Sequence, residues 1–304
     1  MSLQQENGLV TRLQAGFYTV HAGDTDVTCR IRGRLKQQKK NETLVAVGDH
    51  VTISQLPDGS GVIESVLPRE KEFFRTAPTA RGEFKQVMLA NPDQIVLVFA
   101  CTEPPPSLRM LDRFLVIAEK QRISALIVAN KVDLVGMKKA RQIFSIYSDL
   151  GYPLVFTSAK KVLGIKSLRN QLDGKISVLA GPSGVGKSSL LNRIDPNLKL
   201  QVGIVKNSSG KGKHTTVVRE LYPLSGGYVA DMPGLRTLSL WDIEPEELDG
   251  YFPDLRELVS ECQFNDCSHM EEPGCAVKLA VEKGKIHPER YDSYLRMRMG
   301  DEND

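Results

Sequence analysis

Gly181-Pro182-Ser183-Gly184-Val185-Gly186-Lys187-Ser188 satisfies G-x-x-x-x-G-K-[ST] at every fixed position, directly after the apolar run Ile176 to Ala180. The stretch reads as strand, glycine-rich turn and helix. Glycines let such a turn direct several backbone N–H groups inward, and a helix starting near Lys187 points the positive end of its dipole at the same place; together these make a phosphate cradle. Lys187 would reach the outer phosphates as a mobile point charge. The Ser188 hydroxyl would ligate a magnesium ion bridging them, with Ser189 completing the contacting run.

Upstream, Ile95 to Phe99 is a buried-type strand, and Leu108, Leu111, Leu115 and Ala118 recur at helical spacing. A strand at Ile123 to Ala129, a helix around Ala140 to Leu150, a strand at Leu154 to Phe156 and a short helix around Ile165 to Leu172 follow. This alternation predicts a parallel sheet with helices on both faces. At the carboxyl end of the second strand stands Asn130-Lys131-Val132-Asp133, which fits N-K-x-D. A carboxylate at Asp133 can accept two hydrogen bonds from N1–H and the 2-amino group of guanine. Adenine offers neither, so a P-loop kinase or ATPase reading is disfavoured. Asn130 can bond the Hoogsteen side and the Lys131 stem can cover the ring. Thr157-Ser158-Ala159-Lys160 follows the next strand and has the form of the S-A-K element whose backbone contacts the base.

Downstream, the glycine- and serine-rich segment Lys206 to Lys213 leads into His214-Thr215-Thr216. Thr215 or Thr216 is placed to close over magnesium and the outer phosphate as a switch residue. A hairpin turning at Ser225-Gly226-Gly227 ends in Asp231-Met232-Pro233-Gly234, a D-x-x-G in which Asp231 would hold a magnesium-bound water and the Gly234 N–H would sense the γ-phosphate. An ordinary strand-end turn is the competing reading of Asp231.

The flanks differ in kind. From Gly8 to Pro68, short strands separated by turn signals predict a small all-β barrel of OB type. Arg30, Arg32 and Arg34 alternate along one of them and would share a face, with Lys36, Lys39 and Lys40 in the next loop. That face suits RNA; it equally suits a solvated edge. Residues 71–90 carry charge without clear periodicity and read as a linker. Near the other end, Cys262, Cys267, His269 and Cys275 have the spacing C-x4-C-x-H-x5-C. Three thiolates and an imidazole suit a closed, structural zinc site with no position open for chemistry. His287 reads as a surface residue. Arg290, Tyr291, Tyr294, Arg296 and Arg298 make either a basic helix that touches RNA or a solvated face.

The 304 residues carry a net charge of only +3, with 41% hydrophobic and 25% charged side chains, so composition alone demands no nucleic-acid partner. Five cysteines, three of them clustered, favour a metal site over a disulfide framework. The first residues carry no secretory pattern and no apolar run reaches membrane-spanning length, which gives the expectation of a cytoplasmic protein without membrane contact. Nothing points to an obligate dimer, and a monomer is expected.

Ordinary GTPases run phosphate loop, switch threonine, D-x-x-G, N-K-x-D, S-A-K. Here the last two come first. The chain resembles a circularly permuted GTPase, and from barrel to C-terminal cysteines it resembles the ribosome small-subunit-dependent GTPase family (RsgA, also called YjeQ or YloQ). The resemblance implies binding to the small ribosomal subunit and its rRNA late in maturation, ribosome-stimulated hydrolysis of GTP to GDP, and then release. It also assigns a role to the histidine of its G-K-H-T-T segment, here His214. Leu235 follows D-x-x-G where many GTPases carry a water-orienting glutamine, so a group from elsewhere must act, and an imidazole can orient or deprotonate water near neutral pH. Contact with the partner, or plain solvent exposure, is the other reading of His214. The expected architecture is an OB-like RNA- or ribosome-binding barrel at 1–70, a linker at 71–90, a circularly permuted α/β P-loop GTPase domain at 91–240 and a helical zinc-binding domain at 241–304. A regulatory GTP-binding switch acting on a non-ribosomal protein is the alternative function.

Overall fold

Apolar and polar residues alternate through the first strands, and the structure closes those strands on themselves. The computed structural model describes residues 5–37, 41–79, 82–200, 220–231 and 243–301. Strands β1 (Gln5–Gln14), β2 (Phe17–Ala22), β3 (Thr25–Ile31), β4 (His50–Gln55) and β5 (Gly61–Val66) form a closed barrel in the order β1-β2-β3-β5-β4. Val20, Val27, Cys29, Val51, Ile53 and Ile63 fill its interior, and closure removes exposed sheet edges. Gly61 is required where β5 meets β3, since a Cβ there would lie 2.5 Å from Cys29 Sγ. In β1 the register to β2 slips between Val10↔Val20 and Arg12↔Thr19, which leaves Thr11 as a bulge.

The basic face departs from expectation because β3 ends at Ile31. Arg32 and Arg34 lie beyond the strand, and both guanidinium groups pair with the buried Glu64. Their hydrogen bonds, chiefly from Arg32, hold the Glu64 carboxyl below its ordinary range against its burial. Only Arg30 stays in the strand, stacked 4.7 Å over the exposed Phe17 ring. Lys39 and Lys40 lie outside the described residues.

Residues read as a linker instead form an antiparallel hairpin, β6 (Glu72–Thr79) and β7 (Gly82–Ala90), paired from Glu72↔Ala90 to Thr79↔Gly82. Its base buries Phe73, Val87, Met88 and Leu89. The buried Arg69 secures it, with Nε at 2.7 Å from Asp49 and Nη1 at 3.2 Å from Glu72.

By contacts the chain divides into two units, one of Met1–Gln94, Arg169–Ala180 and Lys206–Leu235 and the other of Ile95–Leu168, Gly181–Val205 and Arg236–Asp304. The first unit adds β11 (Ile176–Ala180), β12 (Tyr222–Leu224) and β13 (Gly227–Asp231) to the barrel and hairpin. β11 and β13 run parallel, and β12 pairs antiparallel with β13. The second unit holds most of β8 (Gln94–Ala100) with β9 (Ser124–Asn130) and β10 (Leu154–Phe156), in the order β10-β9-β8, β9 and β10 being parallel. Helices α1 (Leu108–Lys120), α2 (Met137–Asp149), α3 (Ile165–Leu172) and α4 (Lys187–Ile194) alternate with these strands along the chain.

Helix α1 starts where the Ser107 hydroxyl accepts the Met110 N–H at 3.2 Å. It is buried nearly all round, Asp112 and Arg113 included, because the C-terminal elements α5 (Pro253–Arg256), α6 (Ala276–Glu282) and α7 (Pro288–Arg298) bring a second core to it. That core packs Leu248, Phe252, Leu255, Val277 and Tyr294 against Val116 of α1. Arg290, read as part of an outward basic helix, is 1% exposed, bonded to Asp112 at 2.6 Å and Asp254 at 2.9 Å and stacked over Phe252. Burial opposes its charge, yet the two carboxylates more than offset this and hold its pKa above the ordinary value. Burial likewise pushes the Asp112 carboxyl up, against the pull of Arg290, Ser293 and Tyr147. Arg296 pairs with Asp292 and Asp301, and Arg298 donates to the Pro245 carbonyl, so these guanidinium groups also serve intramolecular contacts. His287 is exposed, as read, and caps α7.

Candidate functional site

The phosphate loop owes its shape to residues without side chains. A Cβ on Gly181 (φ +136°) would fall 2.1 Å from the Val98 carbonyl oxygen, and one on Gly186 (φ +99°) would fall 2.4 Å from Asn130 Nδ2. Helix α4 begins at Lys187, immediately after that turn. Lys187 Nζ donates to the carbonyls of Gly181 at 2.8 Å and Pro182 at 3.0 Å, lying across its own loop.

Asn130 joins the base motif to this loop. Fully buried, it donates from Nδ2 to the Val185 carbonyl at 2.7 Å and accepts the Thr157 hydroxyl at 3.1 Å. The side chain assigned from sequence to the Hoogsteen edge is thus also a brace among three segments. Val132 N–H donates to the Thr157 carbonyl at 3.1 Å, locking N-K-x-D against S-A-K. Lys131, in left-handed conformation, donates Nζ to the Glu103 carbonyl. Asp133 is exposed, its carboxylate available to solvent. Ser158 is buried, exchanges both backbone bonds with Leu163 at 3.0 Å and accepts the Lys161 N–H on its hydroxyl.

These segments surround a cleft of about 410 Å³ lined by Asn130, Lys131, Asp133, Ala159, Lys160, Gly186 and Ser189. The N-K-x-D and G-K-S segments, more than fifty positions apart in sequence, therefore share one cavity, with Ala159 and Lys160 of S-A-K beside them. Glu103, Leu134 and Arg193 also line it and were not singled out from sequence. Arg193 could have been: it stands four residues after Ser189, on the same face of α4, and its Nε donates to the Ala159 carbonyl at 3.0 Å. Nearby, burial pushes the Cys101 thiol up to about 11, with Asp133 adding to the effect, so this cysteine stays protonated.

His214, Thr215, Thr216 and Gly234 lie outside the described residues, as does the side chain of Asp231. Of the magnesium set, Ser188 is described. It stands half-buried on the first turn of α4 beside the loop, and its hydroxyl is the hard oxygen donor that such an ion takes.

Cys262, Cys267, His269 and Cys275 converge, their ligand atoms all within 4.8 Å of one another. Cys262 Sγ and Cys275 Sγ stand 4.0 Å apart, and His269 Nδ1 lies 3.6 and 3.4 Å from them. Ligands at about 2.3 Å from a tetrahedral zinc ion would be separated by about 3.8 Å, so the donor set and its spacing fit. His269 presents Nδ1 to the sulfurs because Nε2 faces Asp249 Oδ2 at 3.1 Å, and the Tyr291 hydroxyl donates to the His269 carbonyl. Glu272 shapes the knuckle by accepting the Ser268 and Met270 N–H groups at 2.7 and 2.9 Å. These contacts, led by the Ser268 hydroxyl, bring its carboxyl down to about 2.

The sequence pattern described as RsgA GTPase matches residues 66–241, and that described as RsgA N-terminal domain matches residues 7–63. A protein of Gemmatimonas aurantiaca named small ribosomal subunit biogenesis GTPase RsgA is 43% identical over 96% of this chain and 96% of its own. One of the same name from Thermotoga petrophila is 43% identical over 98% and 97%. Among solved structures, YjeQ from Thermotoga maritima matches with a TM-score of 0.80 at 38% identity, covering 99% of this chain and all of that one. YloQ, described as a circularly permuted GTPase, matches with a TM-score of 0.76 at 34% identity, covering 98% and 95%.

Proposed function

This chain belongs to the RsgA GTPase family, and on that premise we propose that it binds the small ribosomal subunit late in maturation, hydrolyses GTP when docked, and then leaves. The observation that supports this reading is the Asn130 brace, which joins the N-K-x-D and G-K-S segments around one cleft despite their reversed order in the chain.

Asp133 selects guanine by accepting two hydrogen bonds that adenine cannot supply. The backbone N–H groups of the phosphate loop hold the phosphates, and Lys187 swings from its present carbonyl partners to balance charge developing on the transferred group. A magnesium ion held through Ser188, Thr215 or Thr216, and water on Asp231 would neutralise charge on the same oxygens. Leu235 cannot hydrogen-bond water, so turnover by the free protein is slow. His214 orients or deprotonates the attacking water once the partner is engaged. The zinc knuckle is structural. The barrel and the C-terminal part grip rRNA or ribosomal protein, and the protein works as a cytoplasmic monomer; among the described residues no helix is long and apolar enough to cross a membrane.

GTP turnover by the purified protein, alone and with small subunits, tests the reading, with large subunits as control. Stimulation of orders of magnitude confined to the small subunit is expected. No stimulation with intact GTP binding would overturn it in favour of a switch for another partner. His214→Ala should abolish the stimulated rate while leaving nucleotide affinity intact; unchanged stimulated turnover would remove the histidine from the chemistry.

A further inference from the structure

A closed barrel satisfies its own backbone, so a barrel carbonyl bonded to a distant segment needs a local cause. The bulge at Thr11 is that cause. The β1–β2 ladder passes from Val10 to Arg12 without pairing Thr11, and the Thr11 carbonyl instead accepts the Leu221 N–H at 2.8 Å. The next residue adds a second tie: Arg12 and Glu220 form an antiparallel bridge, with Arg12 Nε 3.7 Å from Glu220 Oε1. Leu221 is buried at 3% exposure, so the attachment is packed as well as bonded.

Glu220 and Leu221 occupy a particular place in the chain. Three residues separate Thr216 from Glu220, and Leu221 leads directly into β12, whose partner β13 ends at Asp231 of D-x-x-G. The barrel thus holds Glu220 and Leu221, which lie along the chain between the two elements expected to address magnesium and the γ-phosphate. The ion pair itself is half-exposed on both sides, 48% and 33%, and a pair of that kind contributes little to folding. What it fixes is register: the bulge offers one free carbonyl, and the Arg12–Glu220 pair selects which N–H meets it.

We propose that Thr11 and Arg12 are positioning residues for hydrolysis, setting the register of the segment that leaves the switch threonines so that docking of the barrel on a partner is felt at the nucleotide. The inference rests on the partner-stimulated hydrolysis proposed above. It assigns the barrel a second task besides grip.

Charge reversal tests it. Arg12→Glu, Glu220→Arg and the double exchange are compared with wild type in single-turnover GTP hydrolysis, with and without small subunits, alongside cosedimentation with subunits, GTP affinity and thermal unfolding. Each single reversal should lower the stimulated rate about fivefold or more, the scale of ordinary coupling between sites, and the double exchange should restore it. The intrinsic rate, GTP affinity, subunit binding and unfolding temperature should stay near wild type. Stimulation unchanged in both single variants would overturn the proposal, as would failure of the double exchange to restore it or loss of subunit binding in Arg12→Glu. A wild-type protein without stimulation would instead remove the parent reading, so the two failures are told apart by the wild-type control.

Discussion

Replacing Arg290 by Met deletes a cation that two carboxylates have followed into the interior. Asp112 is 1% exposed and bonded to Arg290 at 2.6 Å, with the Tyr147 hydroxyl at 2.8 Å as another donor. Leaving such a carboxylate without its cation costs about 3–5 kcal/mol. The loss has a ceiling, because Asp112 can neutralise: protonating a carboxyl of ordinary pKa at neutral pH costs about 4 kcal/mol, and each unit by which burial raises that pKa lowers the ceiling by about 1.4 kcal/mol. Since burial already pushes Asp112 up, Arg290→Met should cost about 3 kcal/mol at neutral pH. The sign of its pH dependence follows. Wild type is served by the ionised carboxyl and the variant by the protonated one, so the deficit shrinks as pH falls toward the raised pKa of Asp112. Urea unfolding of both proteins, followed by circular dichroism across pH, measures this. Adding Asp112→Asn to Arg290→Met should recover part of the loss and flatten its pH dependence. A deficit below about 1 kcal/mol, or one constant from about pH 5 to 8, would refute the account.

Asp133→Ala should weaken GTP about a hundredfold, the scale of losing two hydrogen bonds to a charged acceptor, and narrow its advantage over ATP; titration with fluorescent nucleotides checks both. A strong chelator should unfold the knuckle around Cys262 to Cys275 and expose those thiols to a disulfide reagent, with zinc restoring protection. Burial first, and neighbouring carboxylates after it, raise the phenol pKa values of Tyr147 and Tyr152; burial also raises that of Tyr294. Their contribution is whole below the unfolded value near pH 10 and is lost as pH rises through the folded values, so alkaline unfolding should coincide with the appearance of phenolate absorbance.

Much of the candidate nucleotide site could be read because each motif is contiguous: Gly181 to Ser188, Asn130 to Asp133 and Ser158 to Lys160 carry their expected chemistry within a few positions, and residues of all three line one cleft. The zinc ligands were legible for the same reason, and the cluster confirms that they converge. What failed was pairing over distance. Arg290 was placed on an outward face because its partner Asp112 lies far back in the chain, and charge on a helix does not announce which way it points. Residues 71–90 were read as a linker because a register shift between Phe73 and Phe74 breaks the alternation that marks a strand. Arg32 and Arg34 were read as sharing a basic face, and a single carboxylate, Glu64, pairs with both.

The metal knuckle has a consequence for modularity. Its ligands span a short peptide, which invites transplanting it as a cassette. Yet His269 is oriented by Asp249, from ahead of the first cysteine, while hydroxyls of Tyr291 and Tyr294 on α7 bond the carbonyls of His269 and Ser268. A graft of 262–275 alone would carry every ligand and none of this scaffolding, and lost ligand orientation of that kind weakens metal binding about 10–100-fold. Keeping this scaffolding takes at least the stretch from Asp249 to Tyr294, and Arg290 within it draws its buried partner Asp112 from α1.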